Sequence, residues 1–412
     1  MSLISALYAG VSGLAGNSQA MNIIGDNIAN VNTVGFKGSK AQFGDILSVV
    51  LSNGATNMQI GRGTQLQSAQ QSFSQGAFSA SNNALDLAID GAGFFVVNPG
   101  NGNIYSRAGQ FRMDSSGKVS DSANNILQGF RITSGVTSTS LSNVDLAGAQ
   151  SAPRASTNFT LGANLNAAAT AGVTFTSPIT LYNSVGTQVL LNVTFTKQAG
   201  SSTWRYVASP STGTVTSGAS GTLTFSTTGA LSAVNGGALS NLSIGISYAG
   251  STPPANAQTL TWNLVDSSGA TNGKMTGFAA PSNNNAFVQD GFTTGTLLGL
   301  SVDSRGIISG LFNNGQTQQL YQVGLANFLS PTGLTRKGKS LFAESTSSGQ
   351  PVIGTATTGG FGSILGSSLE LSNVDLAGEF VNMIQTQQAF QASAKIVTTT
   401  NDMLAVTTQL VR

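Results

Sequence analysis

At 412 residues the chain exceeds the roughly 250 to 300 at which a single hydrophobic core stops growing, so two or three domains are expected. Only 8% of residues are charged, against about 25% in ordinary globular chains, and 51 are glycine; such a neutral surface, rich in hydroxyls and amides, suits permanent assembly better than free diffusion. The net charge of +2 arises without any run of Lys or Arg, which speaks against a nucleic-acid partner, and the lack of Cys and His removes disulfides, thiolate nucleophiles, most zinc sites and the commonest proton shuttle. Neither an enzyme nor a bound cofactor is expected from this inventory. After Met1 the first charged side chain is Asp26, and no apolar run approaches about 18 residues, so neither a Sec-type signal nor a membrane span is expected.

At alternating steps of four and three, Leu3, Leu7, Gly10, Leu14, Asn17, Met21, Ile24, Ile28 and Val31 fall on one line. This is the seam of an amphipathic helix of the coiled-coil kind. Gly10, Gly13, Gly16, Gly25 and Ala20 sit beside it and allow close approach of another backbone, although each Gly costs about 0.8 to 1 kcal/mol in an isolated helix. The helix should be weak alone. Its amides, among them Asn27 and Asn30, are unusual on a helix and are expected to fix register against other helices.

From about Gln70 the hydrophobic period becomes 2 and turn residues recur every 8 to 12 positions, as in an all-β domain. Leu85, Leu87 and Ile89 alternate, Gly91 and Gly93 break the run, and Phe94 to Val97 follow. The stretches 111–120 and 300–309 share the pattern D-S-x-G-x-apolar-S of a hairpin turn, which hints at one domain interrupted by an insertion; FNNGQ at 312–316 is a third turn. The insertion, with its own alternating strands around Val193, Ile244 and Trp262, has the pattern of a β-barrel or sandwich. LSNVDLAG occurs twice, at 141–148 and 371–378.

A second seam closes the chain: Leu376, Phe380, Met383, Gln387, Phe390, Ala394, Val397, Asn401, Leu404, Thr408 and Val411, with Asn373 or Asp375 as helix cap. The plain expectation is that the two end helices pair with each other. The second helix's outer residues, such as Gln385, Thr386, Gln388, Gln391 and Thr398, are nearly uncharged and argue instead for contact with further copies.

Three stretches carry possible chemistry. GLTRKGKS at 333–340 fits the P-loop pattern, with Lys339 and Ser340 as phosphate and magnesium ligands, but Pro331 precedes it and no long helix can follow, so a basic β-turn is expected. Asp86 and Asp90 would share a strand face as a carboxylate pair, yet no His or metal-ligand cluster supports them, and a solvated residue plus an Asp-Gly turn is the expected reading. Gly35, Phe36 and Lys37 read as a helix terminator with a cation near the negative helix end.

The stretches AGVSGLAGNSQAMNIIGDNIANVNTVGFKGSKAQF, AIDGAGFFVV, YSRAGQFRMDSSGKV, ILQGF, GLTRKGKSLFAESTSSGQP and SLELSNVDLAGEFVNMIQTQQAFQASAKIVTTTNDML resemble those of the bacterial flagellar axial proteins, and among these the hook proteins. The matching N-terminal signature includes Asn27, Asn30, Asn32, Thr33, Gly35, Phe36 and Lys37; Asp26 stands where the family commonly has Asn. The resemblance implies a mainly β chain with a helical coiled-coil element from both ends (1–34 and 371–412), an extended connector (35–70 and 361–370), a discontinuous inner β domain (71–149 and 286–360) and an inserted outer β-barrel or sandwich (150–285). Polymerisation would rest on Leu3, Leu7, Leu14, Met21, Ile24, Ile28, Val31, Phe380, Met383, Phe390, Val397, Leu404 and Val411. It further implies self-assembly outside the cell after unfolded export, with rod, hook-cap, hook–filament junction and export-apparatus proteins as partners. A distal rod subunit is the nearest alternative, disfavoured by chain length; a β-rich surface adhesin would not explain helical seams at both ends.

Overall fold

The computed structural model describes residues 3–46, 49–53 and 56–410. The protein is mainly β, with helix α1 (Leu3–Ala29) at one end and helix α2 (Leu376–Leu410) at the other. It divides into two compact units: Met1–Gly148, Gly299–Gly310 and Gln318–Arg412 in the first, Ala149–Leu298 and Leu311–Thr317 in the second.

The first unit is built on a sheet in the order Thr317–Asn327, Ile126–Thr133, Phe94–Asn98, Ile104–Ser106, Leu341–Ala343, Thr335–Gly338. The continuous apolar run Phe94 to Val97 reflects burial on both faces: Phe95 and Val97 join Leu87, Ile89, Leu127 and Val323 in one cluster, while Phe94 and Val96 join Tyr105, Phe328 and Phe342 in another. Two ribbons tie the returning chain to the departing one, Ser363–Gly366 on Leu87–Asp90 and Ser368–Glu370 on Phe78–Ala80, both antiparallel. The stretch after α1 forms an antiparallel ribbon, Ser39–Asp45 on Thr64–Gln71, continued by Val49–Asn53 on Thr56–Ile60.

Both D-S-x-G turns form by one device. Asp114 Oδ1 accepts the N–H groups of Ser116 and Lys118 at 2.8 and 2.9 Å, Asp303 Oδ1 those of Arg305 and Ile307 at 2.9 Å, and Gly117 and Gly306 supply φ of 82° and 74°. The duplicated LSNVDLAG likewise repeats a local bond, since Asp145 and Asp375 each accept the N–H two residues on, at 2.8 and 3.1 Å. In the second copy that bond caps α2.

In the second unit, Thr174–Tyr182, Gln188–Lys197, Thr203–Pro210, Ser220–Phe225 and Leu231–Val234 form one sheet, and Asn158–Asn164, Thr214–Ser217, Leu242–Ser247, Gln258–Trp262, Met275–Thr276 and Asn283–Gln289 a second. Their inner faces share one core that contains Phe159, Phe195, Trp204, Tyr206 and Trp262. Burying a side chain of this size contributes roughly 1.5 to 3 kcal/mol.

Candidate functional site: the joined chain ends

The two helices pair antiparallel. A Cβ at Gly10 would lie 2.9 Å from Val397 Cγ2, one at Gly13 would lie 2.9 Å from Ser393 Oγ, and Asn27 Nδ2 donates to Glu379 Oε1 at 3.2 Å. The contact line of α1 runs through Gly10, Gly13, Ala20, Ile24 and Asn27, all buried, while Gly16, also buried, faces Phe43 and Thr64 of the ribbon. Leu7, Leu14, Met21 and Ile28 flank that line half-buried, and Val31 is half-buried beyond the helix end. Leu3 is the first described residue of α1, and Val411 lies outside the described residues.

On α2 the expected row Met383, Val397 and Leu404 faces α1 half-buried. Its companion row is corrected by one residue: Glu379, Thr386, Ser393 and Thr400 take the places expected for Phe380, Gln387, Ala394 and Asn401. Phe380 is 48% exposed and Phe390 38%. The physical reason is that small α1 residues draw the backbones together, so the seam selects short side chains opposite them rather than the largest apolar ones.

The opposite side of the pair is apolar and open. On α2, Val381, Ile384 and Val406 are about half exposed, as are Ile4, Tyr8 and Val11 on α1, while Ile396 and Met403, equally exposed, flank the contact, Ile396 Cγ2 lying 3.4 Å from a Cβ at Gly10. A helix with apolar residues on two opposite faces has covered only one of them.

Below the helices, the signature residues build a polar clamp. Asn27 copies a strand pairing, with Oδ1 accepting Ser39 N–H at 2.9 Å and Nδ2 donating to Ser39 O at 2.8 Å. Asn30 turns back to Asp26 O at 2.8 Å and accepts Thr33 Oγ1 at 3.1 Å, while Asn32 is exposed and outside the network. Gly35, at φ 65°, donates to Glu370 O at 2.8 Å; a Cβ there would meet Ala108 N at 2.4 Å, so no other residue fits. Phe36 is buried beneath the Arg336 guanidinium, 5.1 Å from its ring, and Arg336 in turn lies 3.4 Å from Asp26 Oδ2.

Lys37 is not a cation at the helix end, as the sequence suggested. Its side chain is fully buried, with Nζ donating to Glu370 Oε1 at 2.6 Å and to Ser74 O at 2.8 Å. Glu370 Oε1 also accepts Gly76 N–H at 2.9 Å, and Arg107 Nη1 lies 3.5 Å from Glu370 Oε2, an ion pair without hydrogen-bond geometry. Burial pushes the Lys37 ammonium below its ordinary value, with Glu370 opposing, and burial lowers Arg107 in the same way. Asn373, which does not cap α2, bonds Gly38 N–H at 2.9 Å and Ser72 O at 2.8 Å. Sequence reading missed Glu370, Arg107 and Ser74, because a lone carboxylate, a lone guanidinium and a backbone carbonyl far apart in the chain leave no spacing to detect.

The other chemical candidates have structural tasks. The P-loop-like stretch is an antiparallel hairpin, Thr335–Gly338 on Leu341–Ala343, with Lys339 and Ser340 turning at φ 54° and 57°. Asp86 accepts Ser81 Oγ at 2.5 Å and Asn83 Nδ2 at 3.0 Å, whereas Asp90 is exposed and ends its strand before Gly91. Among the described residues no helix is long and apolar enough to cross a membrane.

Four stretches match families of flagellar basal-body and hook proteins: residues 7–37 the flagella basal body rod protein, 88–164 the flagellar hook protein FlgE/F/G D1 domain, 151–292 the flagellar basal body protein FlaE D2 domain, and 366–410 the flagellar basal body rod FlgEFG protein C-terminal. Flagellar hook protein FlgE of Borreliella burgdorferi is 33% identical over 98% of both chains, and that of Treponema pallidum 30% identical over 100% of both. A solved structure, the flagellar hook protein FlgE2 of Helicobacter pylori, aligns over 71% of this chain and 100% of its own at 14% identity and a TM-score of 0.44. The chain belongs to the flagellar hook protein family. Its role is that of a structural subunit of the hook, and the names of its relatives favour hook over rod.

Proposed function

We propose that copies of this chain polymerise, outside the cell and after export without a cleaved signal, into the curved tube that joins rod to filament and transmits torque while bending. The observation that carries this reading is the open apolar face on the outside of the paired helices. That face gains on contact with other copies, and it carries few charges to desolvate. The helix pair acts as a coiled-coil axial core, the first unit as the inner β domain, and the second, a β-sandwich by its two sheets around one core, as the outer domain. Rod, cap, junction and export-apparatus proteins are the partners that family membership suggests.

Electron microscopy of the purified chain under polymerising conditions tests the proposal. The double change Ile384→Asp and Met403→Asp touches only exposed positions, so monomer helicity should stay as it was while tubes disappear. Tubes of normal length from that variant would sink the assignment of this face.

A further inference from the structure

The second unit holds six charged side chains in all: Arg154, Lys197, Arg205, Lys274, Asp266 and Asp290. Three are settled within it. Arg154 lies 3.7 Å from Asp290, and Lys197 is buried with Nζ 5.6 Å from the Trp204 ring centroid. Arg205, Lys274 and Asp266 are exposed and enter no ion pair among the described residues. In a chain this sparing of charge, an acid and two bases left unpaired on one domain call for an explanation.

Their positions differ in kind. Arg205 stands on the outer face of the five-stranded sheet, in register with Thr196 on one neighbour and Thr222 on the other. The positions around it are mostly hydroxyls that satisfy one another, as Thr176 and Thr194 do at 3.0 Å, with Leu190 and Val207 partly exposed among them. Self-paired hydroxyls present methyl groups outward and lose little when water leaves. Asp266 projects from the other sheet, in the turn that follows Gln258–Trp262. Its Oδ1 takes the N–H groups of Ser268 and Ala270, at 2.8 and 3.1 Å, whereas among the described residues no hydrogen bond engages Oδ2. The turn therefore fixes the carboxylate through one oxygen, on an exposed excursion of the sheet that does not carry Arg205.

Building on the polymer reading above, we propose that the outer face of this sheet receives the Asp266 turn of the next copy, with Arg205 as its counter-charge. Two different patches of one chain then meet, and such a heterologous contact propagates into a filament unless its rotation closes a ring. Four strands about 4.8 Å apart and four outward positions about 6.8 Å apart give a face of roughly 500 Å², below the ~800 Å² per partner of a stable isolated pair. The contact thus adds up along a polymer and leaves the second unit monomeric in dilute solution.

The critical concentration for tube formation by the full chain is the test. Arg205→Ala and Asp266→Asn, the second of which keeps the turn's bonds to Oδ1, should each raise it about two- to fivefold, and the double change should raise it no further than either single. Far-UV dichroism and tryptophan fluorescence of each monomer establish that its fold is intact. Single variants that polymerise as the unaltered chain does, or a double change whose effect is the product of the two singles, would overturn this contact and leave the polymer reading standing. Failure of the unaltered chain to polymerise would remove that reading, and the contact with it.

Discussion

The buried cluster of Lys37, Arg107 and Glu370 sets two cations against one carboxylate, and that imbalance makes the cost of removing each member unequal. Lys37→Met deletes the bonds to Ser74 O and Glu370, yet leaves Glu370 with Gly76 N–H and the Arg107 guanidinium, a pair neutral overall. Its cost should be about 2 to 3 kcal/mol, the worth of bonds to a charged group. Glu370→Gln keeps a side chain of the same shape but leaves two buried cations without a counter-ion, which costs about 3 to 5 kcal/mol. With m near 3 kcal/mol/M for a unit of this size, the two changes lower the urea midpoint by about 1 M and about 1 to 2 M. The protein offers separate probes for its two units: both helices belong to the first, both tryptophans, Trp204 and Trp262, to the second. Urea unfolding followed by dichroism at 222 nm should show the loss, and tryptophan fluorescence should not. A Lys37→Met chain destabilised as much as Glu370→Gln, or more, would refute the charge accounting.

Other perturbations have equally definite outcomes. Gly10→Leu drives a side chain into Val397 and Ser393 and should cost the helix pair about 1 to 3 kcal/mol, with tube formation lost; adding Val397→Ala should restore part of the helical dichroism. Gly35→Ala combines a left-handed φ of 65° with a backbone clash at Ala108 N and should destabilise the first unit by about 2 to 4 kcal/mol, read from the same dichroism melt. In the second unit, burial alone would raise the Asp290 carboxyl, but bonds from Thr157 and Asn158 outweigh it and hold the group down to about 2. A carboxylate depressed from 3.8 to about 2 gives stability that is present above pH 4 and lost as pH falls through 2, about 1 kcal/mol in all once solvent screening of this partly exposed group is counted. Asp290→Asn should therefore lower the tryptophan-detected midpoint at pH 7 and lower it far less at pH 2.

What the sequence makes legible here follows from where physics leaves a local trace. Period-2 alternation, Asp-Gly turns and helical seams are written in neighbouring residues, so the β-rich middle and a helix at each end could be read directly. The ribbon from Ser39 to Gln71 escaped because its strands are polar on most positions and carry no apolar alternation to count. The helix seam was located on Met383, Val397 and Leu404 but misplaced by one residue in its second row, because apolar counting rewards Phe380 over Ser393 when the partner surface is glycine. The clamp shows the same limit more sharply. Asn27 and Lys37 stand out as odd residues in the first 40, yet what satisfies them, Glu379, Glu370 and Ser74, comes from elsewhere in the chain, 333 residues away in the case of Lys37 and Glu370. Amides and a buried lysine where a helix should carry solvated charge are thus the trace of a meeting that only the folded chain makes. The clamp needs both ends of the chain at once, so Asn27 and Lys37 are satisfied only where Glu370, Asn373 and Glu379 have returned to the N-terminal segment.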